Sequence, residues 1–169
     1  GKTVTADKIL IATGGSPAMP KDVEGIELAV TSNEMFHLDK LPEHIVIVGG
    51  GYIAVEFAGI MSGLGVKVCM VIRKETVLRG FDEDVRTHVH EELKRKGVKV
   101  ISNASPVRIE KEGEKFRVHL SNGESAAGDK VLFAVGRNPH TEGLGLEKAG
   151  VKLDEHGAVV VDDSSRTSV

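Results

Sequence analysis

The feature that most restricts the fold of this chain is a junction near position 49. Ile45, Val46, Ile47 and Val48 run without a break into Gly49, Gly50, Gly51, Tyr52, Ile53 and Ala54. The first four are apolar at both alternations, which suits a strand buried on both faces, as in a parallel sheet covered by helices. The next six spell G-x-G-x-x-A and open a helix expected to run to Leu64 and stop at Gly65. Each position in that turn has a mechanical sense. Gly49 permits the tight turn, Gly51 lets a pyrophosphate approach the backbone, and Ala54 allows the helix to press against the strand. The free amides at the helix N-terminus then face the anion.

Similar short apolar runs at 8–12, 67–72, 98–101, 130–135 and 158–161 read as further strands. A second helix starts at Asp82 and ends before Gly97, with Glu83 and Asp84 at its start and Lys94, Arg95 and Lys96 at its end, as the helix dipole favours. Between 106 and 128 the pattern changes to strict alternation with turns at Glu112-Gly113 and Asn122-Gly123. The sequence therefore predicts an α/β fold: a Rossmann-like parallel sheet with helices and an inserted antiparallel three-strand meander.

Composition excludes several classes. The 169 residues are 40% hydrophobic and 28% charged, with a formal net charge of −3, which gives no reason to expect nucleic acid or an anionic membrane as a partner, since both need a concentrated basic face. No apolar run approaches the ~20 residues of a membrane span, and residues 1–5 carry no secretory leader. The expectation is a cytoplasmic chain. With one cysteine, Cys69, neither an internal disulfide nor a CxxC pair can form, and Cys69 reads as a small buried apolar residue. His88 and His90 lie two apart on a helix, do not share a face, and predict no metal site.

The choice of nucleotide is made about 20 residues beyond the glycine turn, where an acid would hold the ribose 2′-hydroxyl of NAD. Arg73 stands there instead, followed by Lys74 and, on the same loop, Arg79. The planar fork of arginine matches a phosphate, so the loop predicts NADPH over NADH. Glu75 is a competing partner for these cations.

Residues 49–59, GGGYIAVEFAG, together with the following VIRKETVLRGFD, resemble the NADPH-binding domain of the glutathione reductase family, within the class I pyridine nucleotide-disulfide oxidoreductases. The likeness covers the whole chain. ILIATGG at 9–15 resembles the family's first linking segment, and LFAVGRNP at 132–139 its second crossing strand. The resemblance implies that NADPH reduces FAD, the flavin reduces a disulfide, and the dithiol reduces glutathione disulfide, in a homodimeric parent. It places Gly49, Gly51 and Ile53 at the pyrophosphate and Arg73, Lys74 and Arg79 at the 2′-phosphate. Tyr52 would cover the flavin, and Glu56, one turn later, would pair with a lysine beside it, both supporting hydride transfer. Gly136 and Arg137 would lie near the nicotinamide, and Thr13 and Gly14 near FAD.

No redox cysteine pair or FAD fingerprint is present, so the chain is expected to bind NADPH without completing turnover. Residues 1–14 would be the last strand of an FAD domain, 15–136 the NADPH-binding domain and 137–169 the start of the returning FAD-domain segment. The edges of such flanking strands would pair with each other or with another copy. Two alternatives stay open: another NADPH-dependent flavoprotein disulfide reductase, and a non-catalytic nucleotide-sensing module.

Overall fold

The computed structural model describes residues 1–169. In chain order the elements are β1 (Gly15–Pro17), a 3₁₀ turn (Ile26–Leu28), α1 (Ser32–Met35), β2 (His44–Val48), α2 (Tyr52–Gly63), β3 (Lys67–Val71), α3 (Glu83–Arg95) and β4 (Lys99–Ile101). Then follow β5 (Pro106–Glu112), β6 (Lys115–Leu120), β7 (Ser125–Gly128), β8 (Lys130–Phe133) and β9 (Arg137–Pro139). The chain divides into two compact units, residues 17–136 and residues 1–16 with 137–169.

The larger unit is built on a four-stranded parallel sheet in the order β4-β3-β2-β8. Its central strand explains the sequence pattern. Ile45 and Ile47 point into a core shared with Ala54, Phe57, Ala58 and Met61 of α2. Val46 and Val48 point the other way, into a core shared with Ile109, Val118 and Ala126 of the meander. All four β2 residues are at most 3% exposed. Each such side chain contributes roughly 1.5–3 kcal/mol by leaving water, so this strand needs cover on both faces. Ala54 and Ala58 are fully buried, and their small size is what lets α2 lie close on the sheet.

The helix ends follow the expected chemistry. Gly65, one residue beyond the α2 cap at Leu64, takes a φ of 84°, a left-handed turn that favours glycine. At α3 the Asp82 carboxylate accepts from the amides of Asp84 at 3.0 Å and Val85 at 3.4 Å. The sequence reading passed over a second cap: Thr31 and Glu34 form a reciprocal box at the start of α1. Hydrogen bonding from Thr31 holds the Glu34 carboxyl below its ordinary range.

Strands β5, β6 and β7 form the expected antiparallel sheet, with Ile109, Val118 and Ala126 in register and buried. Its other face carries Arg108, Glu110, Arg117 and His119, joined by pairs such as Arg108 to Glu110 at 2.9 Å. Half-exposed pairs of this kind contribute little, so the meander is held by its apolar face.

Two expected strands do not form. Residues 8–12 have no regular structure, with Ile9 83% and Leu10 88% exposed, and 158–161 contribute only a single bridge from Val159 to Leu153. Residues 8–12 meet no neighbouring ladder, and 158–161 meet only residues 152–154, through Asp154 N to Ala158 O at 2.8 Å and Val160 N to Lys152 O at 2.9 Å, too short a pairing for a strand. A short pairing forms instead between β1 and β9, just outside and just inside the expected flanks.

Cys69 lies within β3, packed against the meander-side core. Burial pushes its thiol up, with Glu124 adding to the effect and Lys99 opposing it.

Three outcomes follow from this packing. Ile47→Ala should destabilise the larger unit by about 2–5 kcal/mol, and Asp82→Ala by about 1 kcal/mol, both read from urea denaturation followed by circular dichroism. Cys69 should react slowly with a disulfide reagent at pH 8 in the folded chain and rapidly in denaturant. Equal rates in the two conditions would contradict its burial.

Candidate functional site

The glycine turn sits where two strands end. The Gly49 amide donates to the Val71 carbonyl at 3.0 Å, tying the end of β2 to the end of β3. Gly49 has a φ of 135°, and a Cβ built on it would lie 2.3 Å from the Ala134 carbonyl oxygen, beyond the end of β8. No larger residue fits there without moving backbone. Gly51 is the opposite case, with nothing within 4 Å of where its Cβ would be. It caps α2 with no side-chain hydrogen bond, so no side chain occupies the donors at the helix start.

The basic loop is fastened to this turn from below. The Leu78 amide donates to the Gly50 carbonyl at 2.6 Å, and Leu78 itself takes a φ of 55° as the loop doubles back. On one side residues after β4 hold the loop: Ala104 N donates to Ile72 O at 3.2 Å, Asn103 N to Lys74 O at 3.3 Å, and Ser102 Oγ to Glu75 O at 2.8 Å. On the other side Arg86 of α3 donates through Nε to Val77 O at 3.1 Å and through a terminal nitrogen to Thr76 Oγ1 at 2.7 Å.

Between turn and loop lies a cleft of about 300 Å³, lined by Gly50, Gly51, Arg73, Lys74, Arg79 and Val135 among others. Arg73, Lys74 and Arg79 are exposed. None of them makes an ion pair, while Arg95, Arg108 and Arg117 elsewhere do. Glu75, expected to compete, pairs with none of the three; only its backbone carbonyl is engaged. Three uncompensated cations beside an uncapped helix N-terminus make an anion-binding concavity, because charge and the positive end of the helix dipole add.

The structure thus gathers Gly51, Arg73, Lys74 and Arg79 in one cleft, with Gly49 shaping its floor. Ile53 is half-buried against the helix-side core. Tyr52, 55% exposed, and Glu56 lie one turn apart on the open side of α2. Gly136 follows Val135 out of β8, and its carbonyl accepts from Ala18 N at 2.9 Å. Thr13, Gly14 and Arg137 belong to the smaller unit, where Gly14 O accepts from His140 N at 3.0 Å and the Arg137 guanidinium donates to Gly15 O. His90 is buried and His88 exposed, and no cluster of metal-ligating side chains occurs. No helix is long and apolar enough to cross a membrane.

Sequence reasoning missed Thr76, which also lines the cleft, and Arg86 behind it. Gly50 was visible as the middle of the glycine triplet. Arg86 carries no local signal, since an arginine in the first turn of a helix usually faces solvent.

Comparison with known proteins agrees with this architecture. The family profile of the pyridine nucleotide-disulphide oxidoreductases matches residues 1–169. Glutathione reductase of Burkholderia cepacia is 46% identical over 168 residues, covering 99% of this chain and 37% of the relative. Glutathione reductase of Nostoc sp. is 43% identical, covering 97% and 38%. Among solved structures, the HOCl-induced flavoprotein disulfide reductase RclA from Escherichia coli superposes with a TM-score of 0.86 at 34% identity, over 93% of this chain and 36% of that one. LpdA from Mycobacterium tuberculosis gives 0.85 at 32%, over 97% and 36%. The chain spans little more than a third of the length of the curated relatives it matches. Its Rossmann-like sheet, its glycine turn and a profile match from first residue to last establish that it belongs to the pyridine nucleotide-disulphide oxidoreductase family.

Proposed function

We propose that the chain is the NADPH-binding part of an FAD-dependent glutathione-disulfide reductase. The observation that carries this reading is the cleft in which Arg73, Lys74 and Arg79, all free of carboxylate partners, stand beside the uncapped start of α2. A dinucleotide with a phosphate on its adenosine ribose fits that donor set. The open backbone at Gly51 suits a pyrophosphate, and the guanidinium groups suit the extra phosphate. An unmodified ribose would ask for an acid at the end of β3, where Arg73 stands. The 46% and 43% identities to two glutathione reductases support the disulfide substrate and favour it over other family substrates.

On this reading residues 15–136 are the NADPH-binding domain, and 1–14 and 137–169 belong to an FAD domain. The chemistry supplied by bound NADPH is a hydride, delivered to the flavin. The residues of this chain bind and orient. Gly49, Gly51 and Ile53 receive the pyrophosphate, and the three cations hold the adenosine end. Tyr52 would cover the flavin face, and Glu56 would pair with a lysine beside the flavin. Gly136 and Arg137 border the nicotinamide, and Thr13 and Gly14 border FAD. The chain has a single cysteine, Cys69, and one thiol cannot form the intramolecular disulfide that the flavin would reduce. Catalysis in a homodimeric parent is completed by other residues.

Calorimetric titration tests the binding step. The chain should bind NADPH more tightly than NADH, and an Arg73→Ala, Arg79→Ala double variant should lose on the order of 1.5–3 kcal/mol per arginine toward NADPH with little change toward NADH. Equal affinities for the two nucleotides in the unaltered chain would defeat the specificity reading. Gly49→Ala should weaken both nucleotides together and lower stability, because the added methyl meets the Ala134 carbonyl. The parent enzyme should oxidise NADPH with glutathione disulfide in preference to lipoamide or thioredoxin, whereas the 169-residue chain should not turn over.

A further inference from the structure

Behind the cleft, Arg86 is an arginine that does not meet solvent in the ordinary way. It is half-buried, on the face of α3 turned toward the basic loop, while its neighbours Asp84, Val85, Thr87 and His88 are exposed. It has no carboxylate partner. Its Nε donates to the Val77 carbonyl at 3.1 Å and a terminal nitrogen to Thr76 Oγ1 at 2.7 Å, so the planar guanidinium spans two successive residues of the loop. Thr76 lines the cleft, and Val77, fully buried, packs under the glycine turn, its Cα 3.7 Å from where a Cβ on Gly50 would stand. Two residues further on is Arg79.

We infer that Arg86 is a positioning residue for nucleotide choice: it pins Thr76 and Val77 so that the loop presents Arg73 and Arg79 to the phosphate of the ribose. The inference rests on the reading of the cleft as an NADPH site. Three observations carry it. The loop is long for its few anchors and includes a left-handed Leu78, a conformation that costs free energy unless its surroundings enforce it. The Ser102, Asn103 and Ala104 side grips only the first half, at residues 72–75, and the second half is held by Leu78 N to Gly50 O and by Arg86. A guanidinium fork satisfies both loop acceptors from one rigid plane, which a lysine cannot do. Through this arrangement Arg86 acts on the extra phosphate without touching it, while the glycine turn keeps its own backbone ties, Gly49 N to Val71 O at 3.0 Å and Gly50 O from Leu78 N at 2.6 Å.

The test compares NADPH and NADH affinity by calorimetry for the chain, Arg86→Ala, Arg86→Lys and Thr76→Val, with thermal denaturation alongside. The expected result is about a five- to tenfold loss of NADPH affinity in Arg86→Ala, the effect of one or two hydrogen bonds, with NADH affinity held within about twofold. Arg86→Lys should recover little of the loss, because it keeps the charge and lacks the fork. Thr76→Val, which keeps the arginine and removes one acceptor, should shift the NADPH to NADH ratio in the same direction, so the inference stays testable if Arg86→Ala folds poorly. An unchanged ratio in Arg86→Ala and Thr76→Val, equal losses for both nucleotides, or full recovery by Arg86→Lys overturns the positioning role while leaving the NADPH reading intact. An unaltered chain with no preference for NADPH overturns both.

Discussion

The backbone of Gly49 approaches the Ala134 carbonyl so closely that a single methyl group would lie 2.3 Å from the oxygen. The ends of β2 and β8 are tied there by Ala134 N donating to the Val48 carbonyl at 2.8 Å, and the turn leaves β2 with no room for a side chain at Gly49. Gly50 then accepts from Leu78, which joins the basic loop to the same turn. Because this link is backbone to backbone, it holds the loop beside the helix N-terminus without relying on flexible side chains. The cleft and its charge follow from this geometry.

Charge is distributed with a clear division of labour. Several arginines elsewhere on the larger unit are matched locally: Arg95 with Glu92 on α3, and Arg108 and Arg117 with Glu110 and Glu112 on the meander. Those pairs leave little field at a distance. At the cleft the three cations have no such partners, and the one acid on the loop, Glu75, is engaged only through its carbonyl. A group of like charges held near each other is unfavourable without an anion, and the uncapped α2 adds to the same sign. The unit therefore carries a standing electrostatic demand for an anion, which the proposed nucleotide phosphate would meet.

The larger unit was largely legible in residue order, and the smaller one was not. Residues 45–48 announced a doubly buried strand, Asp82 a helix cap, and the two glycine turns at 113 and 123 the meander; all depend on neighbours within a few positions. Thr31 and Glu34 show the same signal was present and overlooked at α1, where a four-residue helix offers no apolar period to draw attention to it. The apolar runs at 8–12 and 158–161 had strand composition, yet composition cannot supply a ladder: 158–161 meet only residues 152–154, and 8–12 meet no strand. Ile9 and Leu10 remain in solvent for that reason. The antiparallel alternatives β1 and β9 are only three residues each and carry Gly and Pro, which masked them.

Within the site the same line can be drawn. Residue order settled which groups arrive at the end of β3, arginines where an acid would hold an unmodified ribose, and it settled that a turn of glycines opens a helix, since both rest on short-range geometry. Only the folded chain decided that Glu75 leaves the cations unpaired, that Thr76 lines the cleft, and that Arg86 reaches back from α3 to hold it. Those contacts join groups whose meeting is dictated by how helices and loops pack over the sheet, and no spacing along the chain encodes such a meeting.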